Sequence, residues 1–270
     1  MITATAAGSR PGSLACVGVG MTLGSHITPL ARSYIERSDV VFVAVSDAVV
    51  ERWVGQMHPD VRSLQALYRD GKSRMDTYQE MVDAMLAEVR AGKQVCAAFY
   101  GHPGVFAWSP HRAIEMARAE GFSAHMEPGI SAADCLYADL GIDPGQHGCQ
   151  HYEASQLLFY ERRLDPSAYL VLWQVAVTGD RTLARFSTGA AYRQLLVDLL
   201  ANDYPLDHEI IVYRAATLPI LEARIERSVL RRLPELPIEL ADTIVLPPTH
   251  EPSVNRSMLR RLAALERAEA

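Results

Sequence analysis

From Ser13 onward the chain alternates short apolar runs of β-forming residues with longer amphipathic stretches. That alternation is the pattern of a parallel sheet covered by helices. Strands are expected at 13–18, 39–45, 61–64, 94–100 and 122–127, with helices between them. The clearest helix spans 75–91, where Met81, Met85, Leu86 and Val89 recur at helical spacing and Gly92 supplies a stop. Near 128–130 the pattern loosens. Longer strands follow at 169–175, 208–213, 222–227 and 242–246, with a helix at 192–202 and a proline-rich turn at 233–237, which reads as a mixed sheet. The expected organisation is a flexible N-terminus at 1–12, an N-terminal α/β domain at 13–129 and a C-terminal α/β domain at 130–248. A tail at 249–270 follows, helical through Met258, Leu259, Leu262 and Leu265.

Three loops at the expected carboxyl ends of strands carry the candidate chemistry, because open parallel sheets gather their ligand sites there. Gly18-Val19-Gly20-Met21-Thr22-Leu23-Gly24 follows the first strand. A dinucleotide fold would place G-x-G-x-x-G directly at a helix start, with an acidic residue such as Asp47 after the second strand. Here the third glycine is one place late, and the next helix waits until Thr28 and Pro29. Taken alone, this is as readily a glycine-rich turn as a binding loop. Tyr100-Gly101-His102-Pro103-Gly104-Val105-Phe106 ends the fourth strand, with His102 read as a polar contact or as a turn stabiliser. Glu127-Pro128-Gly129-Ile130-Ser131-Ala132 ends the fifth, where Ser131 can cap a helix and expose backbone donors. Three such loops on one sheet rim point to a nucleoside-like cofactor.

A further group is Tyr68, Arg74 and Tyr78, with Tyr100 across the sheet. Arg74 and Tyr78 are four apart and share a helix face. A guanidinium beside a phenol favours its anion and lowers a reference pKa of about 10 towards use as a base. The same residues also fit plain packing, with one hydrogen bond each.

Charge narrows the partners. With 32 acidic against 26 basic residues the net charge is −6, and no basic run tracks one face, so nucleic acid is not an expected partner. The N-terminal residues lack a secretory signal pattern, no stretch reaches the length of a membrane span, and a cytoplasmic protein is expected. The four cysteines, Cys16, Cys96, Cys135 and Cys149, show no metal or disulfide spacing, and Cys16 and Cys96 read as buried inert thiols.

The three loops, in this order and spacing, resemble the cofactor loops of tetrapyrrole (corrin and porphyrin precursor) methyltransferases, which bind folded S-adenosylmethionine in a cleft between two α/β domains. Closer still is the resemblance to the borosin peptide α-N-methyltransferases, running from about Ser13 to Pro248. It is carried by Arg74-Met75-Asp76-Thr77-Tyr78, Tyr100 to Phe106, Met126 to Ala132, Ala138-Asp139-Leu140-Gly141-Ile142-Asp143-Pro144-Gly145, Leu172-Trp173-Gln174 and Tyr204-Pro205-Leu206-Asp207-His208-Glu209. The resemblance implies a two-domain tetrapyrrole-methylase-like α/β fold, parallel in the N-terminal domain and mixed in the C-terminal one. It implies that Tyr68, Arg74, Tyr78 and Tyr100 form the catalytic cluster. Gly18 and Gly20 join the cofactor site as loop glycines, and Tyr100, His102, Val105, Phe106, Ser131, Ala132, Gln174, Ala241 and Thr243 match cofactor-contacting positions. S-adenosylmethionine is the implied cofactor, S-adenosylhomocysteine its product, and no metal is expected. Borosin enzymes commonly carry their substrate as an apolar C-terminal core peptide. Here 259–270 is charged and helical, so the resemblance implies a precursor peptide supplied in trans to a homodimer, or a heterotetramer with two precursor peptides. Leu157, Leu158 and Phe159 are expected in the dimer interface, or else in a short buried helix.

An amide nitrogen is a poor nucleophile because its lone pair is delocalised into the carbonyl. A phenolate can take its proton while hydroxyl and guanidinium donors stabilise the charge arriving on the carbonyl oxygen. The expected roles are Tyr78 or Tyr68 as base, Arg74 holding the anionic form, and Tyr100 orienting the amide. One rival is carbon methylation of a tetrapyrrole, drawing on Arg181, Arg185 and Arg193, although that stretch reads as a solvated face. Another is a non-catalytic scaffold that binds the cofactor only.

Overall fold

The computed structural model describes residues 11–45, 48–69 and 71–269. Asp47, and all but the last two residues of the expected flexible N-terminus, lie outside the described residues. By their contacts the residues divide into two compact units. One comprises the chain to Ile142 with Asp180–Ser187 and Tyr213–Ile225, and the other Asp143–Gly179, Thr188–Val212 and the chain from Glu226. The first unit thus runs past the change of pattern at 128–130 and takes back two later segments.

The first unit is built on a five-stranded sheet: β1 (Ser13–Gly18), β2 (Val40–Ala44), β3 (Val61–Ser63), β4 (Gln94–Phe99) and β5 (Ser123–Glu127), in the order β3-β2-β4-β1-β5. All four strand pairings are parallel. Its helices are α1 (Pro29–Arg37), α2 (Ala48–Val54), α3 (Arg74–Arg90), α4 (Trp108–Ala119) and α5 (Ala132–Leu140). Successive strand residues point to opposite faces, and each face has its own core. Leu14, Cys16, Phe42 and Ala97 pack with Met81, Met85 and Leu86 of α3 and Ile114 of α4. Val17, Val41, Val43 and Ala98 pack with Ile35 of α1 and Val50 and Val54 of α2. Burial on both faces explains why these strands are continuously apolar. It also keeps the Cys16 and Cys96 thiols protonated, pushing Cys96 up to about 12 and Cys16 further.

The second unit carries a mixed sheet of β6 (Cys149–Glu153), β7 (Tyr169–Trp173), β8 (Glu209–Arg214), β9 (Arg224–Val229) and β10 (Thr243–Leu246), in the order β6-β7-β10-β8-β9. β6 runs parallel to β7, and β10 antiparallel to it. Helices α6 (Pro144–His147), α7 (Ala154–Phe159) and α8 (Ala190–Leu200) accompany it, and α9 (Arg256–Glu269) forms from the tail. Leu170, Leu172, Leu196, Leu200, Val212 and Ile244 centre its core. Among the described residues no helix is long and apolar enough to cross a membrane.

Leu157 and Phe159 fall in the short helix α7, with Leu157 buried and Phe159 43% exposed. Two local expectations are corrected. The strand expected at 222–227 lies two residues later, at β9. Arg193 is not on a solvated face: it is buried in α8, where its guanidinium donates to the carbonyls of Leu233, Pro234 and Leu236. Those carbonyls belong to the proline-rich turn, so Arg193 serves the fold.

Candidate active site

Because β1 lies between β4 and β5, the carboxyl ends of these three strands are neighbours, and so are the loops that leave them. The loops are held together at their glycines. Gly20 N–H donates to the Gly101 carbonyl at 3.2 Å, and Gly101 N–H to that of Gly20 at 2.9 Å. A Cβ on Gly18 would lie 2.4 Å from the Gly101 oxygen and 2.7 Å from the Gly129 Cα, and one on Gly129 only 2.2 Å from the same oxygen. Gly18, Gly101 and Gly129 are therefore glycines because the three backbones touch one another. Loop-to-loop packing is thus one reason for these glycines, which the sequence pattern alone does not show.

Tyr100, Val105 and Phe106 stand out of this junction, 52%, 40% and 42% exposed. Phe106 is held at φ +50°, a conformation costly for a bulky residue and found where surroundings fix it. His102 closes its own turn, accepting the Gly104 N–H on Nδ1 at 2.9 Å, so a neutral ring carries its proton on Nε2. Ser131 and Asp134 form a capping box at the start of α5, with the Asp134 carboxylate accepting from both the N–H and the hydroxyl of Ser131.

The tyrosines are placed by the start of α3. Ser73 caps it by accepting from Met75 N–H, and Arg74 and Tyr78 follow one turn apart. Tyr68 comes off a 3-10 turn at Gln65–Leu67 and meets Tyr78 edge to face, with ring centroids 6.5 Å apart and planes at 88°. Burial pushes the Tyr68 phenol far above the usual tyrosine value, and the neighbouring Tyr78 and Tyr100 raise it further. Arg74 pulls the other way but is the weakest of these influences. Tyr100 is also raised, by burial around its hydroxyl and by Tyr78, though half the residue is exposed. The lowering by Arg74 is present but outweighed at Tyr68 by burial. The guanidinium donates to the Arg185 carbonyl at 2.7 Å and lies 3.6 Å from the Asp180 carboxylate.

In the second unit, Gln174 follows β7 at φ +56° with its side chain exposed. The antiparallel register pairs Ile244 with Leu172, which sets Thr243 level with Trp173 and brings Ala241 to the same strand end as Gln174. Ala241 is exposed there and Thr243 buried. Asp180 had no place in the sequence reading. Its only signal was the spacing Asp180-Arg181-Thr182, an Asx turn.

Both helix starts next to the loops are already satisfied. Thr28 caps α1, which opens on Pro29, and the Asp134 carboxylate occupies the start of α5. A pyrophosphate would meet that carboxylate where it needs free N–H groups. A cofactor with an aromatic base, polar hydroxyls and no phosphate suits these exposed aromatic and backbone groups.

Residues 13–234 match the tetrapyrrole (corrin/porphyrin) methylase family. The chain is 41% identical over 265 residues to a methyltransferase/ribosomally synthesized type I borosin cyclic peptide precursor of Coprinopsis marcescibilis, covering 95% of this chain and 68% of that one. It is 39% identical to a methyltransferase/ribosomally synthesized cyclic peptide dendrothelin A precursor of Dendrothele bispora, covering 95% and 63%. The chain thus spans about two thirds of the length of these relatives. Among solved structures, a uroporphyrin-III-C-methyltransferase from Thermus thermophilus superposes with a TM-score of 0.63 at 19% identity, covering 88% of this chain and 94% of that one.

Proposed function

The chain belongs to the tetrapyrrole (corrin/porphyrin) methylase family, a family of methyltransferases, and from that premise we propose that it methylates backbone amide nitrogens of a peptide with S-adenosylmethionine. The observation that carries this reading is the edge-to-face pair Tyr68 and Tyr78 with Arg74 one turn from Tyr78 on the same helix, a group that cofactor binding alone does not require. The relatives named as fused methyltransferase and peptide precursor support the same substrate class.

The residues that would hold the cofactor are Gly18, Gly20, Tyr100, His102, Val105, Phe106, Ser131 and Ala132 of the first unit, with Gln174, Ala241 and Thr243 proposed for the second. When bound, S-adenosylmethionine supplies an electrophilic methyl group on sulfur and leaves as the neutral thioether S-adenosylhomocysteine. Tyr78 is the base that takes the amide proton, and Tyr68, which burial keeps protonated, stands edge to face beside it. Tyr100 orients the amide, and Arg74 offsets the negative charge that gathers on the carbonyl oxygen as the proton leaves. The nitrogen relieved of its proton is the nucleophile whose lone pair would form the new bond to the methyl carbon as the carbon–sulfur bond breaks.

The peptide is proposed to be supplied in trans. The acting unit is proposed as a homodimer, with two peptides bound in a heterotetramer. Fragmentation of a peptide product after incubation with labelled S-adenosylmethionine tests this reading: label on backbone nitrogen supports it, and label on a side chain or none contradicts it.

A further inference from the structure

Asp180 is buried, its side chain 1% exposed. One carboxylate oxygen accepts from the N–H and the hydroxyl of Thr182 at 2.9 and 2.6 Å. The other accepts from the Arg185 N–H at 3.1 Å and faces Arg74 at 3.6 Å. Arg74 returns two contacts to the same segment, from its guanidinium to the Arg185 carbonyl at 2.7 Å and from its backbone N–H to the Leu183 carbonyl at 2.8 Å. Leu183 sits at φ +55°, which an unsupported leucine does not hold. A turn of this kind could be closed by a neutral asparagine. A buried charge is costly unless paired, and the negative charge of Asp180 faces the guanidinium of Arg74 at 3.6 Å. Burial pushes its carboxyl upward, but the bonds from Thr182 and Arg185 and the charge of Arg74 outweigh that and hold it below the usual range.

We propose that Asp180 is a positioning residue for the methyl transfer: it fixes the Arg74 guanidinium and straps 180–187 onto the start of α3, so that Arg74 and Tyr78 keep one geometry. This rests on the function proposed above. Because reacting groups tolerate displacements of only about 1 Å, loosening the strap should slow the chemical step and spare cofactor binding.

The test compares wild type, Asp180→Asn, Arg74→Lys and the double variant at saturating S-adenosylmethionine and peptide, with S-adenosylhomocysteine binding measured calorimetrically. Asp180→Asn keeps the turn and removes the charge. It is expected to lower kcat by roughly tenfold or more and to leave cofactor affinity unchanged. If Asp180 acts through Arg74, the double variant is no slower than Arg74→Lys alone, because neighbours sharing one interaction are non-additive. Wild-type kcat in Asp180→Asn, or losses that multiply in the double variant, overturns the proposal. Should Asp180→Asn fail to fold, Thr182→Val removes one donor to the carboxylate. A kcat loss that vanishes in the Arg74→Lys background supports the strap, and one that persists there, or no loss, overturns it. An active wild type with those contrary results overturns the role of Asp180 alone, whereas a wild type inactive on every peptide overturns the function and this role with it.

Discussion

The rings of Tyr68 and Tyr78 meet edge to face, with centroids 6.5 Å apart and planes at 88°. Burial holds the proton on Tyr68, and Tyr78 is the residue proposed as the base. Replacing Tyr78 with Phe removes one hydroxyl and little volume. The expected result is a methyl-transfer rate lower by roughly a hundredfold or more, with unchanged binding of S-adenosylhomocysteine. A wild-type rate in single-turnover kinetics would return Tyr78 to a packing role.

Much of this arrangement was legible before the structure, and the reasons are physical. Strands β1, β2 and β4 are buried on both faces, so they are continuously apolar and easily read. β6 was missed because its residues, Cys-Gln-His-Tyr-Glu, are all half-buried and carry no apolar pattern. The roles of Arg193 and Asp180 depend on partners distant in sequence or on a local carboxylate, and neither spacing nor composition reveals them. The glycine loops were recognisable by pattern, but their reason was not, since only coordinates show that Gly18 and Gly129 lie against Gly101.

That packing makes a stability prediction. Gly18→Ala places a Cβ 2.4 Å from the Gly101 oxygen, and the backbones must part to admit it. Overpacking of this kind costs about 1–3 kcal/mol, which for a unit of this size lowers Tm by roughly 2–4 °C per kcal/mol. Calorimetry should show the loss and a weaker cofactor response. An unchanged Tm would mean that the three loops are not held as described.

A ligand that binds only the folded chain raises its Tm by mass action. S-adenosylmethionine and S-adenosylhomocysteine should do so, and NADH should not, because the Asp134 carboxylate fills the helix start a pyrophosphate would need. A shift with NADH alone would revive a dinucleotide site.

Alkaline pH should destabilise the fold. Burial raises the phenols of Tyr68 and Tyr213, and Tyr204 is pushed up to about 12. Above pH ~10 the unfolded chain loses these protons while the folded chain keeps them, so stability falls as pH climbs through that window and is fully present below it. Urea unfolding from pH 8 to 11 checks the sign, and Tyr68→Phe should flatten the fall. A fall of equal slope in the variant would remove Tyr68 from the account.

Transfer to a peptide backbone nitrogen is the claim on which the rest depends. Purified chain would be incubated with methyl-deuterated S-adenosylmethionine and a Val/Ile-rich peptide, and the product fragmented in the mass spectrometer. The expected result is labelled methyl on backbone amide nitrogens, with the label strongly reduced in Tyr78→Phe at equal cofactor occupancy. Label on a tetrapyrrole but on no peptide, or equal peptide labelling by wild type and Tyr78→Phe, would contradict it.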